Sequence, residues 1–123
     1  MPNTYSRTAR VVPQGVFWIC TVKSPHPMFP IDSLPEGFKW LKGQQEVGAG
    51  GFEHWQFIAA LEGRGRLRKL TDAFGVGHHF ELTKSKAAEA YVWKEETRVA
   101  GTQFDIGSKP IRINSSTDWD TVW

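Results

Sequence analysis

Three polar side chains in the middle of the chain have the donor chemistry of a divalent metal site. His54 and Gln56 alternate in residues 52–61, which are predicted to form a strand, and Glu46 lies near the end of the preceding predicted strand. Residues two apart in a strand point to the same face, so His54 and Gln56 project together while Trp55 points toward the core. An imidazole, an amide oxygen and a carboxylate suit Mn²⁺ or Mg²⁺ better than Zn²⁺. The alternative is an ordinary solvated hairpin face.

A second set, Tyr91 and Lys94, combines a nucleophile with a cation. The two residues are three apart in a predicted helix that is capped by Thr83 or Ser85 and runs to about Glu95, so they lie near each other on its surface. Because the phenol of tyrosine has a pKa of about 10, a cation or a metal-polarised phosphate must stabilise the phenolate. Tyr91 and Lys94 are therefore the predicted catalytic residues. The alternative is a half-buried aromatic ring beside a solvated lysine.

Other residues are candidates for binding nucleic acid. A basic cluster starts in a glycine-rich turn after the third predicted strand and contains Arg64, Arg66, Arg68 and Lys69. Such a cluster can neutralise phosphates, although it also fits the solvated start of a helix. Trp40 and Trp93 are candidate platforms for base stacking. The predicted DNA-contacting residues are Thr21, Lys23, Arg66, Arg68, Lys69 and His79.

Length and composition restrict the possible classes of function. A chain of 123 residues, 40% of them hydrophobic and with six Trp and eight Phe, suits one domain with a substantial core. The net charge of +2 is compatible with a nucleic-acid partner. Cys20 is the only cysteine, which excludes an internal disulfide and a cysteine-based zinc site, and the chain has no G-x-x-x-x-G-K-S/T phosphate loop. No apolar run is long enough to cross a bilayer and no secretory signal is visible, so an intracellular location is the default expectation.

The predicted elements define an α+β domain over residues 11–107. Strands are predicted at residues 11–22, 38–47, 52–61, 78–82 and 98–106, with a glycine-rich turn between the second and the third. Helices are predicted at residues 67–74 and from about residue 85 to Glu95. This order predicts a mostly antiparallel five-stranded sheet with helices on one face. Residues 1–10 are predicted to be a flexible N-terminus and residues 108–123 a C-terminal tail.

Three ordered motifs give the chain its resemblance to a known family. They are FWICTV at residues 17–22, HWQ at residues 54–56 and YVWK at residues 91–94. Together they resemble the HUH-type endonuclease domain of replication initiator (Rep) proteins from circular single-stranded DNA viruses. Gln56, where many members have a second His, points to the circovirus-like branch. Glu46 matches the acidic metal ligand of the family; if Gln45 were the equivalent residue instead, the site would lose its carboxylate.

The resemblance implies an activity and a setting. Such domains nick single-stranded DNA at a viral replication origin with Mn²⁺ or Mg²⁺, remain attached through a 5′-phosphotyrosine, and rejoin ends during rolling-circle replication. It also implies an RRM-like fold, a helicase domain in the full-length protein, oligomers only when full length, no membrane partner and a location in the host nucleus.

Two other functions compete with this expectation. One is a non-catalytic module that binds single-stranded nucleic acid on an RRM-like sheet. The other is a metal-dependent hydrolase in which water attacks the phosphate and Tyr91 only positions the substrate.

Overall fold

Five strands form one antiparallel sheet in the computed structural model, which describes residues 12–111. They are β1 (Gln14–Lys23), β2 (Phe38–Val47), β3 (Glu53–Arg66), β4 (His79–Leu82) and β5 (Phe104–Gly107). Their order in the sheet is β4-β1-β3-β2-β5, and every neighbouring pair is antiparallel. The predicted α+β class with a five-stranded antiparallel sheet is therefore confirmed. The predicted flexible N-terminus, residues 1–10, and most of the predicted tail lie outside the described residues.

The β2–β3 hairpin places the predicted metal ligands opposite one another. A 3-10 turn at Ala49–Gly51 joins the two strands, and Gly50 and Gly51 have φ values of 73° and 81°. These left-handed angles favour glycine, which explains the glycine-rich turn. In the resulting register Glu46 pairs with His54, and Gln44 pairs with Gln56.

The two helices pack on opposite faces of the sheet, so the expectation of helices on one face is wrong. Helix α1 (Leu67–Phe74) buries Leu70 and Phe74 against one face. Helix α2 (Ala87–Tyr91) lies against the other, where Ala88 packs near Ile58. The physical reason is that eight consecutive residues of the central strand β3, residues 54–61, are buried, which requires cover on both faces. None of the helices within residues 12–111 is long and apolar enough to span a membrane.

A proline-rich loop, residues 24–37, completes the α1 face. Phe29 from this loop stacks on Trp55 with ring centroids 4.9 Å apart, and it also contacts Phe57, Phe74 and Phe104. This aromatic cluster turns Trp55 into the core, as strand alternation predicts. The neighbouring residues His54 and Gln56 consequently face the side that carries α2.

Three element boundaries differ from the predictions. Strand β3 continues to Arg66, so Arg64 and Arg66 lie in a strand and not in a turn. The last strand is confined to Phe104–Gly107 and not to the predicted residues 98–106. At the start of the predicted range, the backbone of Arg98 forms an isolated β-bridge with Glu46. Helix α2 ends at Tyr91 and not near Glu95.

The early end of α2 has a structural cause. The carbonyl of Trp93 accepts a hydrogen bond from Arg98 Nη2 at 2.6 Å, and that of Lys94 accepts one from Gln44 Nε2 at 2.7 Å. Side-chain donors thus satisfy these two carbonyls after α2, which therefore need no hydrogen-bond donors from another helical turn. Because α2 is short, it covers only part of its face; His54 and Gln56 lie toward the other end of that face and are 8% and 4% exposed.

Glu89 on α2 links this helix to the sheet and gives a test of the fold. Its carboxylate contacts Lys42 Nζ at 2.9 Å and Lys109 Nζ at 2.7 Å. Burial alone would raise the pKa of Glu89, but hydrogen bonds from both lysines and their charges outweigh it and lower the pKa.

A carboxylate with a lowered pKa in the folded state stabilises the fold above its unfolded pKa of about 4.3 and loses this contribution as pH falls through the folded value. We expect Glu89→Gln to reduce the free energy of unfolding at pH 7 by on the order of 1 kcal/mol or less. The difference from the unmodified protein should vanish well below pH 4. Urea unfolding across this pH range measures it, with the exposed Glu36→Gln as the charge-matched control. An equal deficit at every pH would contradict the ion-pair explanation.

Candidate active site

A carboxylate and an imidazole converge beside the turn of the β2–β3 hairpin. Glu46 Oε1 lies 3.5 Å from His54 Nε2, and the two residues are only 1% and 8% exposed. Gln45 instead pairs with Trp55 and donates a hydrogen bond to Ser24 Oγ at 2.9 Å. The carboxylate of Glu46, and not the amide of Gln45, therefore lies beside His54.

The surroundings of His54 orient its ring toward Glu46. His54 Nδ1 lies 3.3 Å from the carbonyl oxygen of Phe52, and a proton on Nδ1 is assigned from this contact. With the proton on Nδ1, Nε2 would have a lone pair available for a cation on the side of Glu46, as in metal-binding histidines whose second nitrogen donates to a backbone carbonyl. The Phe52 ring stacks on the imidazole with centroids 4.8 Å apart and an interplanar angle of 18°.

Gln56 is held on the same face by two hydrogen bonds. Its Oε1 accepts from Thr21 Oγ1 at 3.0 Å, and its Nε2 donates to the Cys20 carbonyl at 3.1 Å. These contacts fix which end of the amide is the acceptor. A carbonyl oxygen has a second lone pair, so Gln56 Oε1 can still bind a cation. Thr21, predicted to contact DNA, therefore also positions Gln56.

Gln44 is a site residue that was not predicted. It is fully buried, donates to Glu46 Oε2 at 2.8 Å, and accepts from Arg98 Nε at 2.9 Å. Its donor also reaches the Lys94 carbonyl, as described above. The i, i+2 spacing of Gln44 and Glu46 mirrors that of Gln56 and His54, and this repeat is the signal from which Gln44 could have been found.

Lys94 connects the metal-ligand set to Tyr91. Its Nζ lies 2.9 Å from Glu46 Oε1 and 4.2 Å from the centroid of the Tyr91 ring. The two residues do not share a helical surface as predicted, because Tyr91 ends α2 and Lys94 follows it. They meet instead through a cation–π contact. The Tyr91 side chain is accessible, with the residue 48% exposed, whereas Glu46 is buried.

The pKa of Glu46 reflects these contacts. Burial alone would raise it, but hydrogen bonds from Lys94 and Gln44, together with the charge of Lys94, outweigh burial and lower the pKa below the usual range. Glu46 is therefore a carboxylate at neutral pH. Its negative charge lies 3.5 Å from His54 Nε2.

This donor set fits a divalent cation. Glu46 Oε1 and His54 Nε2, which can both serve as metal ligands, lie 3.5 Å apart, and Gln56 has an amide oxygen on the same face. Such a mixture of oxygen and nitrogen ligands suits Mn²⁺ or Mg²⁺. No group of three His, Cys, Asp or Glu side chains in residues 12–111 has a metal-binding arrangement, so a third ligand for a cation here would be an amide, water or substrate.

The predicted DNA-contacting residues divide into two groups. Thr21 pairs with His79, and Lys23 pairs with His54, so these residues lie at the same end of the sheet as Glu46 and His54. The basic cluster lies apart from them, because Arg66 ends β3 and α1 packs on the opposite face. On α1, Arg68 pairs with Asp72 at 3.6 Å. The structure therefore does not bring Arg66, Arg68 and Lys69 to the site.

The two tryptophans predicted to stack on bases are engaged in the fold. Trp40 is 2% exposed, packs against Phe17 and donates to Asp105 Oδ1 at 2.8 Å, so it cannot stack on a base. Trp93 is partly buried with Lys42 Nζ 4.6 Å from its ring centroid. The accessible aromatic rings beside the site are those of Phe52 and Tyr91.

Comparison with known proteins adds nothing to this geometry: no protein-family model, no curated protein and no solved structure matches the chain.

Proposed function

We propose that the protein cuts and rejoins single-stranded DNA by metal-dependent transesterification through Tyr91. One observation carries the proposal. The ammonium of Lys94 contacts both the Glu46 carboxylate and the ring of Tyr91. Lys94 therefore lies between the proposed metal ligands and the proposed nucleophile and touches both. A buried carboxylate–imidazole pair next to an accessible phenol is the combination that covalent phosphodiester cleavage requires.

Each residue has a distinct role in the proposed reaction. Glu46, His54 and Gln56 hold a divalent ion, which when bound supplies a Lewis acid that polarises a phosphate oxygen. Gln44 and Thr21 orient two of these ligands through the hydrogen bonds described above. Lys94 supplies positive charge for the phenolate or for the scissile phosphate.

The bond changes of the step balance without another reactant. Tyr91 Oη attacks phosphorus, the Tyr91 O–P bond forms, and the bond from phosphorus to the 3′ oxygen breaks. The phenolic proton is lost, and the departing 3′ oxygen gains a proton, which yields a 5′-phosphotyrosine and a 3′ hydroxyl. Since one phosphoester replaces another, a 3′ hydroxyl can reverse the step and join two ends.

The biological setting of the proposal comes from the motif resemblance. We propose that the DNA is a replication origin of a circular single-stranded DNA virus, that the domain belongs to a longer protein with a helicase region, and that it works in the host nucleus. The accessible rings of Phe52 and Tyr91 also favour the second candidate, a module that binds single strands by stacking without chemistry.

Tyr91→Phe provides the first test, because it removes only the phenolic oxygen. We expect the unmodified protein, incubated with Mn²⁺ and a 3′-labelled pool of randomised single strands, to give a labelled protein–DNA band on a denaturing gel. Tyr91→Phe should abolish this band. Tyr5→Phe, which alters the chain's other tyrosine, should retain it. DNA cut without an adduct would indicate hydrolysis by water, and binding without cutting would indicate the non-catalytic module.

Lys94→Met provides a second test, because Lys94 and a metal ion compete for Glu46 Oε1. Removing the ammonium removes the repulsion between the two cations, so we expect Mn²⁺ to bind about tenfold more tightly, corresponding to about 1.4 kcal/mol. Calorimetric titration without DNA measures this affinity, with the exposed Lys84→Met as the charge-matched control and Glu46→Gln as the variant that loses binding. Weaker Mn²⁺ binding by Lys94→Met would show that Lys94 supports the site instead.

A further inference from the structure

An open cavity of about 430 Å³ lies beside the candidate active site, between β4 and α2. It adjoins the proposed chemistry directly, because Gln56 and Tyr91 both line it. Cavities of this volume are typical of small-molecule sites. The residues that matter for its chemistry are Ile19, Thr21, His79, Glu81, Ala88 and Tyr91.

The cavity has apolar surfaces suited to a flat ring. Ile19 on β1 is partly buried on the sheet side, and Ala87 and Ala88 on α2 present small side chains on the other. The accessible ring of Tyr91 lies at the end of α2. A base that is unstacked from a single strand needs such apolar or aromatic surfaces against its faces.

Glu81 gives the cavity a charge that is unexpected beside a site for a polyanion. Strand pairing places Glu81 opposite Ile19 and His79 opposite Thr21, so Glu81 and His79 lie on the face that carries the site. Glu81 Oε1 is 3.4 Å from His79 Nε2, and both side chains are 67% exposed. A carboxylate repels phosphates, but it accepts hydrogen bonds from the amino groups of bases.

We propose that this cavity binds one unstacked nucleobase next to the cleaved phosphate and that Glu81 selects a base carrying an exocyclic amino group. The inference rests on the proposed function, because that function places the bound DNA strand at the active site. Cytosine, adenine and guanine each offer an amino hydrogen to the carboxylate. Thymine has no amino group, and its one ring donor, N3–H, lies between two carbonyl oxygens, which Glu81 repels. His79 orients the carboxylate, and Ile19 and Ala87 contact the ring faces.

The experiment uses binding, so that selectivity is measured without chemistry. A strand that binds tightly is first selected from the randomised pool with Tyr91→Phe in the presence of Mn²⁺. Each base is then replaced in turn by thymine, and the Kd of each strand is measured. At one position we expect thymine to weaken binding on the order of tenfold. This penalty should disappear when Glu81→Ala is added and shrink when Glu81→Gln is added, because the amide keeps one acceptor oxygen.

A matched control and the other outcomes separate this inference from the proposed function. Glu62→Ala removes an exposed carboxylate elsewhere and should leave the thymine penalty unchanged. If Glu81→Ala strengthens binding equally for every strand, Glu81 only repels phosphate and the inference is wrong. If the penalty depends on Glu81 but the unmodified protein forms no adduct, the cavity assignment stands and the proposed chemistry fails. If no strand from the pool binds, both fail.

Discussion

The buried carboxylate of Glu46 is the constraint on which the arrangement of the site depends. Glu46 is 1% exposed, and burying a carboxylate costs free energy of folding unless it is paired and hydrogen-bonded. Lys94 supplies the opposite charge at 2.9 Å, and Gln44 donates to the second oxygen. Gln44 is buried as well, and its own acceptor is satisfied by Arg98. Satisfying one carboxylate therefore requires a network that joins β2 to the segment after α2.

This network also explains how Tyr91, the proposed nucleophile, comes to lie beside the proposed metal ligands. Gln44, which donates to Glu46, also donates to the Lys94 carbonyl. Arg98, which donates to Gln44, also donates to the Trp93 carbonyl, so these bonds hold the chain after α2 against the sheet. A helix that continued for another turn would leave Gln44 and Arg98 without these partners. The short α2 ends at Tyr91, and Lys94 reaches back over the Tyr91 ring to Glu46.

The sheet divides its two faces between stability and access. One face is closed by α1 and by the aromatic cluster around Phe29, so that Trp55 and Phe57 are buried there. On the other face, α2 packs on Phe17 and Ile58. This face also carries the buried residues Glu46, His54 and Gln56, the exposed rings of Phe52 and Tyr91, and the cavity next to β4. A site of this kind rests on a rigid hairpin whose back surface is packed, which limits the movement of its ligands.

Local periodicity alone was sufficient to predict part of the fold and of the site. The period of two in a strand places His54 and Gln56 on one face and Trp55 on the other in any sheet, and the glycine-rich turn brings Glu46 opposite His54. The antiparallel sheet and the helix at Leu67–Phe74 followed from the same kind of pattern. Only the tertiary structure decided what depends on distant partners. It ended α2 at Tyr91, buried Trp40 and revealed Gln44. It also carried the α1 residues Arg68 and Lys69 to the far face, because a central strand buried on both sides needs cover on both.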